Sequence, residues 1–328
     1  MKEQVRISMG TLRVLGMEIL QTDADTTTAY LQTYEPGRCS ADCGFCAQAK
    51  SASSRSENIA RGLYPPRETK EVALRLGRAY EKGLLSRACI QTMNYPAMLE
   101  DLLYLIAEIR RGSEIPISVS IYPLPEEKFR ILRKAGVERI VIPLDTATKE
   151  IFEEIKGGKG ACGYRWETHL LALSDAVHVY GKGRVGTHLI IGLGETEEEA
   201  VGTVQMLSYM GVYTSLFAYT PVAGTRLAKK QPEIGHYRRI QLAGYLIDEG
   251  ISSFDKMEFK GGRITNVGIL DDYLEELISS GEPFRTRGCP GCNRPYSTEQ
   301  PGGMIYNYPL APSERDMEAI KKQMGDDL

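Results

Sequence analysis

Three cysteines crowd one short stretch, Cys39-Ser-Ala-Asp-Cys43-Gly-Phe45-Cys46. Thiolates spaced by three and then two residues on one loop can hold three corners of a cubic four-iron, four-sulfur cluster. A fourth cysteine would complete a ferredoxin site; its absence leaves one iron open. An open iron can chelate the amino and carboxylate groups of a methionine-type ligand and set its sulfonium beside a reducing cluster. One electron then cleaves the C–S bond to a 5′-deoxyadenosyl radical, which can take hydrogen from an unactivated C–H bond. The competing reading is a structural zinc loop that borrows a distant fourth ligand.

A second group, Cys289-Pro-Gly-Cys292-Asn-Arg-Pro-Tyr296, is followed by Pro301-Gly-Gly-Met-Ile-Tyr306-Asn-Tyr308. Proline and glycine bend the chain tightly, so both thiolates can face one metal. Two ligands are not a site; Cys89, expected at the mouth of the fold, would make three. A dithiol redox pair or half of a zinc site are the alternatives. Cys162 lies in a glycine-rich stretch and reads as a spare ligand or as incidental. Tyr306 and Tyr308 either line an acyl pocket or pack the tail. His169, His178, His188 and His236 show no metal-ligand spacing, and a core position suits His188. Glu197–Glu199 read as an acidic helix start favoured by the helix dipole.

The elements that must position these groups alternate short β-branched runs with longer helical patterns, as in a parallel α/β fold. Strands are expected at 28–34, 87–92, 117–122, 138–144, 184–191, 214–219 and 254–259. Between them, apolar faces mark helices, such as Val72, Leu76 and Ala79, or Leu102, Leu105, Ile106 and Ile109. Leu12, Leu15 and Ile19 mark an opening amphipathic helix. Thr196 with Glu199 forms a capping box at the start of a helix over 197–210. Seven or eight such units between residues 28 and 285 fit a (βα)₈-type, TIM-like barrel, complete or nearly so. An N-terminal arm (1–27) precedes it, and an extension (286–328) with a short helix at 313–324 carries the second cysteine pair. In such barrels chemistry collects where strands end, and the first cysteine group falls just after the first main strand.

Composition bounds the rest. The 328 residues are 42% hydrophobic and 25% charged, enough for a large core. A net charge of −3 argues against nucleic-acid partners and against a polybasic membrane anchor. No run approaches a membrane span, and the first twenty residues lack the pattern of a secretory signal. A cytoplasmic protein with reduced thiols is the expectation; an odd count of 7 cysteines is no disulfide scaffold.

On these motifs the chain resembles the radical S-adenosylmethionine (SAM) superfamily, and within it the biotin-synthase-like branch. Gln48, the Leu144-Asp145-Thr146 turn and Ile190-Ile191-Gly192-Leu193-Gly194-Glu195-Thr196 look like their counterparts there. The resemblance implies a [4Fe-4S] cluster with an open iron on Cys39, Cys43 and Cys46, beside Phe45. It also implies SAM contacts from Ile191, Gly192, Leu193 and Asp145, with Arg165 placed to read the cofactor carboxylate. Biotin synthases hold a second cluster with strand cysteines and an arginine. Cys89 matches the first of these and Arg263 the arginine, but Ser118 and Gly186 stand where cysteines are needed. An auxiliary cluster of that type, and biotin formation, are therefore not expected. The tail motif on this barrel is similar instead to two-component lipoyl synthases. That resemblance implies a second [4Fe-4S] cluster on Cys289, Cys292 and a further group, Cys89 being the candidate, acting as sulfur donor. It further implies an octanoylated lipoyl-acceptor protein or peptide, a sister radical SAM subunit, and an electron donor such as ferredoxin or flavodoxin.

Overall fold

The structure, a computed structural model, describes residues 3–157, 163–299 and 302–325. Cys162 and Pro301 lie outside the described residues. The chain opens with β1 (Gln4–Ile7), α1 (Met9–Val14) and β2 (Thr28–Thr33), then a long loop carrying β3 (Asn58–Ile59) and β4 (Gly62–Leu63). There follow β5 (Pro66–Glu68), α2 (Thr69–Glu81), β6 (Arg87–Gln91), α3 (Met98–Gly112), β7 (Ile117–Ser120) and α4 (Glu126–Lys134). Next come β8 (Val137–Val141), α5 (Lys149–Ile155), α6 (Trp166–Tyr180), β9 (Val185–Ile191), α7 (Glu197–Tyr209) and β10 (Val212–Ala218). The chain closes with α8 (Ile234–Asp248), a hairpin of β11 (Glu258–Lys260) and β12 (Arg263–Asn266), α9 (Asp271–Ser280) and α10 (Glu314–Met324).

One eight-stranded sheet runs β10-β9-β8-β7-β6-β2-β1-β5. The strands from β2 through β6 to β10 are parallel, whereas β1 and β5 add to the β2 edge antiparallel. Each parallel strand is followed by a helix, and both faces are covered. That is why β2 and β7 read as unbroken buried runs rather than as alternating ones. Among the described residues no ladder joins β10 to β5, so hydrogen bonds do not close the barrel.

The expected strands up to 214–219 are present within a few residues. The expected strand at 254–259 is not; Phe254–Lys256 form a 3₁₀ turn, and β11 pairs only with β12 outside the main sheet. The Asp255 and Lys256 pair interrupts an apolar alternation there. The opening helix stops at Val14, and Ile19 is fully exposed rather than buried. The capping box of Thr196 and Glu199 forms as expected. Among the described residues no helix is long and apolar enough to cross a membrane.

The tail folds back onto the barrel around Arg238 of α8, which is fully buried. Its guanidinium donates to the carbonyls of Tyr306 (2.7 Å) and Ile305 (2.5 Å) and to Gln241 (2.7 Å) and Gln323 (3.0 Å). Tyr306 packs edge-on against Tyr237 at 5.1 Å, and its hydroxyl donates to Pro232. Of the two roles weighed for Tyr306 and Tyr308, packing the tail is the one realised; both are buried away from the central cavity. Replacing Arg238 by Met should therefore cost about 1–3 kcal/mol for each carbonyl left without a donor. Chemical denaturation would measure the loss, and limited proteolysis should show new cleavage near residue 305.

Candidate active site

The first cysteine group occupies the loop after β2, at the C-terminal end of the parallel strands. Backbone hydrogen bonds fix it on several sides. Cys39 N donates to Gln48 O (3.1 Å), Ser40 N to Asn94 O (2.7 Å) and Gly44 N to Ile155 O (2.8 Å). Arg226 reaches across to donate to the carbonyls of Asp42 and Ile155, both at 3.1 Å. Gln48 exchanges amide hydrogen bonds with Gln32 of β2 at 2.7 and 2.8 Å, which anchors the loop to the sheet. Asn94 N donates to the Cys39 sulfur at 3.2 Å, the kind of bond that supports a cluster thiolate. Burial, with Cys39 and Asp145 nearby, pushes the Cys46 thiol up to about 11. Bound to iron, such a sulfur is deprotonated and its charge offset.

Among the described residues no three His, Cys, Asp or Glu side chains converge as one ion would require. Cluster thiolates bind separate irons and stand further apart than the ligands of one tetrahedral zinc. Three thiols on one loop, one of them already accepting from Asn94 N, fit the ligand set of a cluster with an open iron.

Asp145 sits beside Cys46, at the end of the segment after β8. Its φ of 72° is rare for a residue with a Cβ, and such strain concentrates at functional sites. The geometry is held by Asp145 N donating to His188 O (2.8 Å) and Ile190 N donating to Asp145 O (2.9 Å). Its carboxylate pairs with buried Lys156 at 2.7 Å. Lys156 was missed in the sequence, because α5 had no strong pattern and a lone lysine after it looks like surface.

Ile191 ends β9 and is buried, and Gly192 follows at φ 103°. A Cβ on Gly192 would meet Pro232 Cδ at 2.9 Å, so both conformation and space require glycine there. Glu195 fixes the turn by accepting from Gly192 N (2.6 Å) and Leu193 N (3.0 Å). Leu193 packs with Phe45, Ile155 and Tyr219 in a small apolar cluster, which joins this turn to the cysteine loop. Arg165 is exposed at the start of α6, and its carbonyl accepts from His169 N at 3.2 Å.

His236 lies 3.7 Å from Glu195 and 3.2 Å from Glu197. Glu197 is not merely a helix-start charge; it is buried, paired with Arg239 at 2.6 Å, and accepts from Ile264 N at 2.8 Å. Against the cost of burial, the two carboxylates raise His236 to about 9. A histidine raised in the fold adds stability that is complete below its unfolded pKa of about 6.5 and lost as pH climbs. Thermal melts should thus show stability falling between pH 6.5 and pH 9, and His236→Gln should flatten that slope.

The second cysteine group lies at the opposite, N-terminal end of the strands. Cys89 is at mid-strand in β6, facing inward, and not at the mouth. Its ladder neighbours are Tyr30 of β2 and Ser118 of β7. Cys289 lies 3.1 Å from Ser118 Oγ and 3.0 Å from Tyr213 OH, and Cys292 lies 3.3 Å from Tyr30 OH. Burial raises the Cys89 thiol well above its ordinary value, with Cys289 and Cys292 adding to the shift. Thus the three thiols lie together, inside the barrel. Arg263 is exposed on the β11–β12 hairpin, away from this group. The cation inside is Arg294, stacked 4.0 Å from the Phe217 ring centre.

These sulfurs border a cavity of about 320 Å³, also lined by Tyr64, Gln91, His188 and Phe217. His188 therefore faces the cavity rather than the core; burial, helped by Arg294, lowers it to about 3 and keeps it neutral. The alternation along β9, which sets His188 on the face opposite Leu189, was the signal available for this.

A partly open parallel barrel with a fixed cysteine loop at its C-terminal end defines a cofactor-dependent barrel enzyme. Residues 36–207 match the Radical SAM superfamily, and the chain belongs to that superfamily. The family's cofactors are a [4Fe-4S] cluster and SAM. The chain is 28% identical to the biotin synthase of Magnetococcus marinus, over 52% of this chain and 50% of that protein. It is 31% identical to that of Aquifex aeolicus, over 50% of this chain and 47% of that one. The chain thus spans about half the length of these curated relatives. Its fold resembles the [FeFe]-hydrogenase maturase HydG from Carboxydothermus hydrogenoformans, with a TM-score of 0.52 at 17% identity, covering 68% of this chain and 51% of that one. Methylornithine synthase (PylB) superposes with a TM-score of 0.51 at 15% identity, covering 66% and 62%.

Proposed function

We propose that this chain inserts sulfur into a protein-bound octanoyl chain, as one component of a two-protein lipoyl synthase. The observation that carries this reading is the meeting of Cys89, Cys289 and Cys292 beside a largely apolar cavity beneath Asp145. A saturated chain needs an apolar channel, and a carbon radical needs a sulfur atom within bonding reach. Cys39, Cys43 and Cys46 would hold a [4Fe-4S] cluster, which with SAM would supply the hydrogen-abstracting chemistry. Asp145, Ile191, Gly192 and Leu193 would position SAM, with Phe45 packing the loop and Arg165 available to its carboxylate. Cys89, Cys289 and Cys292 would hold a second [4Fe-4S] cluster as sulfur donor, with Ser118, Tyr30 and Tyr213 placed to hydrogen-bond its thiolates. A sister radical SAM subunit, an octanoylated acceptor and a ferredoxin or flavodoxin donor complete the proposed system.

A second reading is a biotin-synthase-like enzyme acting on a free small molecule. Arg294 favours it, because a guanidinium inside the cavity can bind an anionic substrate.

Anaerobic reconstitution separates the readings. The native chain should carry about eight irons and the Cys289→Ala/Cys292→Ala variant about four, one cubane having been lost. Mass spectrometry of an octanoyl-lysyl peptide incubated with the protein, SAM and reductant should show a gain of one thiol. Unchanged iron in the variant defeats the donor cluster, and 5′-deoxyadenosine without thiolated peptide supports the small-molecule reading.

A further inference from the structure

We propose that the acyl chain reaches the cavity from the side, through a portal between the N-terminal arm, the β3–β4 hairpin and the tail, and that the portal admits an unbranched chain presented as a neutral amide. This rests on the acyl reading above and adds the route and the form of the substrate.

The cavity has two unlike walls. One is the inner face of the strands, with Tyr30, Cys89, His188 and Phe217. The other comes from segments outside the parallel strands: Met9 of α1, Leu20 and Ala24 of the arm, Leu63 of β4, and Tyr296 of the tail. The exposed lining residues, Leu20, Asp25 and Gly288, all belong to this second wall. Leu20 is 36% exposed, and the half-buried Thr22, Leu63 and Tyr296 flank it. Ile19, next to Leu20, is wholly exposed. The mouth therefore lies among the arm, the β3–β4 hairpin and the tail, and Cys39, Cys43 and Cys46 do not line the cavity.

The rim is a built structure. Arg13 of α1 donates to Leu20 O at 2.7 Å and pairs with Asp25, which ties both ends of the arm segment to one side chain. On the tail side, Asn293 donates to Asp25 O at 2.8 Å and accepts from Thr27 N at 3.1 Å. Arg13 is thus already paired, and exposed Asp23 stands near Tyr296, so the rim disfavours a free carboxylate and suits an amide. Arg294 lies deeper, stacked on Phe217 and donating to Arg287 O at 2.7 Å. At the far end, His188 lines the cavity while its carbonyl holds Asp145 N. A chain threaded from the mouth passes the three thiols and ends below Asp145, while a carrier too large to enter stays outside.

The test is the affinity of an octanoyl-lysyl peptide for the anaerobically reconstituted protein. Leu63→Trp should weaken binding about tenfold or more, as a bulky side chain in a chain-width passage would. Leu63→Ala should admit a 4-methyloctanoyl-lysyl peptide that the native chain rejects. Free octanoate should compete poorly with the peptide. If Leu63→Trp does not fold, the native protein decides alone: a peptide with a diazirine at the chain end should label the β6 or β9 segment around Gln91 or His188. Native-like binding by folded Leu63→Trp, labelling of the 39–46 loop, or equal competition by octanoate overturns the portal and leaves the acyl reading standing. Failure of the native protein to bind the octanoyl peptide overturns both.

Discussion

The carbonyl of Gly291 accepts hydrogen bonds from the hydroxyls of Thr27 (2.5 Å) and Thr28 (3.3 Å), and this seam decides where the second pair of cysteines goes. Gly291 itself has φ 76°, and a Cβ there would stand 2.3 Å from Ser86 Oγ. Only glycine lets the tail pass so close beneath the strands. Arg87 Nε adds a bond to Pro290 O at 3.2 Å from the neighbouring strand. Without the seam, Cys289 and Cys292 would hang on a polar tail. With it, they are carried under the sheet and into the barrel beside Cys89.

The two cysteine groups thus approach one interior from opposite ends, and each brings cationic compensation. Sulfur ligands carry negative charge when bound, and a dry interior penalises that charge unless something positive lies nearby. At the upper end Lys156 neutralises Asp145. At the lower end Arg87 bonds Ser118 at 3.1 Å and pairs with Glu138 at 2.8 Å, and Arg294 enters from the tail. The cavity between them is largely apolar apart from Arg294, and its histidine and two of its tyrosines are kept uncharged: His188 is lowered by burial, and Tyr30 and Tyr213 are raised by it.

Much of this was legible in the sequence because it is local. The 39–46 loop announces itself by spacing, and β2 and β7 by short buried runs with β-branched residues. The capping box at Thr196 needs only four residues to be seen. What stayed hidden depends on distant chain meeting distant chain. Lys156, Asn94 and Arg226 reach the cysteine loop from other segments, and nothing near them in sequence marks the role. Ile19 matched a helical period, but the helix ends at Val14, and a period says nothing about where a helix stops. The strand expected at 254–259 failed for a similar reason. Alternation there serves a small hairpin packed on α7, not the barrel.

Positions 118 and 186 show how a local departure becomes intelligible only in three dimensions. Read along the chain, Ser118 and Gly186 stand where cysteines are needed, and they argue against an auxiliary cluster of the biotin-synthase type inside the barrel. In the fold, Gly186 is opposite Tyr213 in the β9–β10 ladder, and a Cβ at 186 would lie 2.3 Å from the tyrosine ring. The glycine makes room for Tyr213, whose hydroxyl meets Cys289 at 3.0 Å. Ser118 donates to the same sulfur at 3.1 Å. Two positions that give up a thiol therefore form the seat for a thiol delivered by the tail, and restoring a cysteine at 186 would displace the ring that helps hold it. Ser118, Gly186 and Cys289-Pro-Gly-Cys292 form one coupled arrangement.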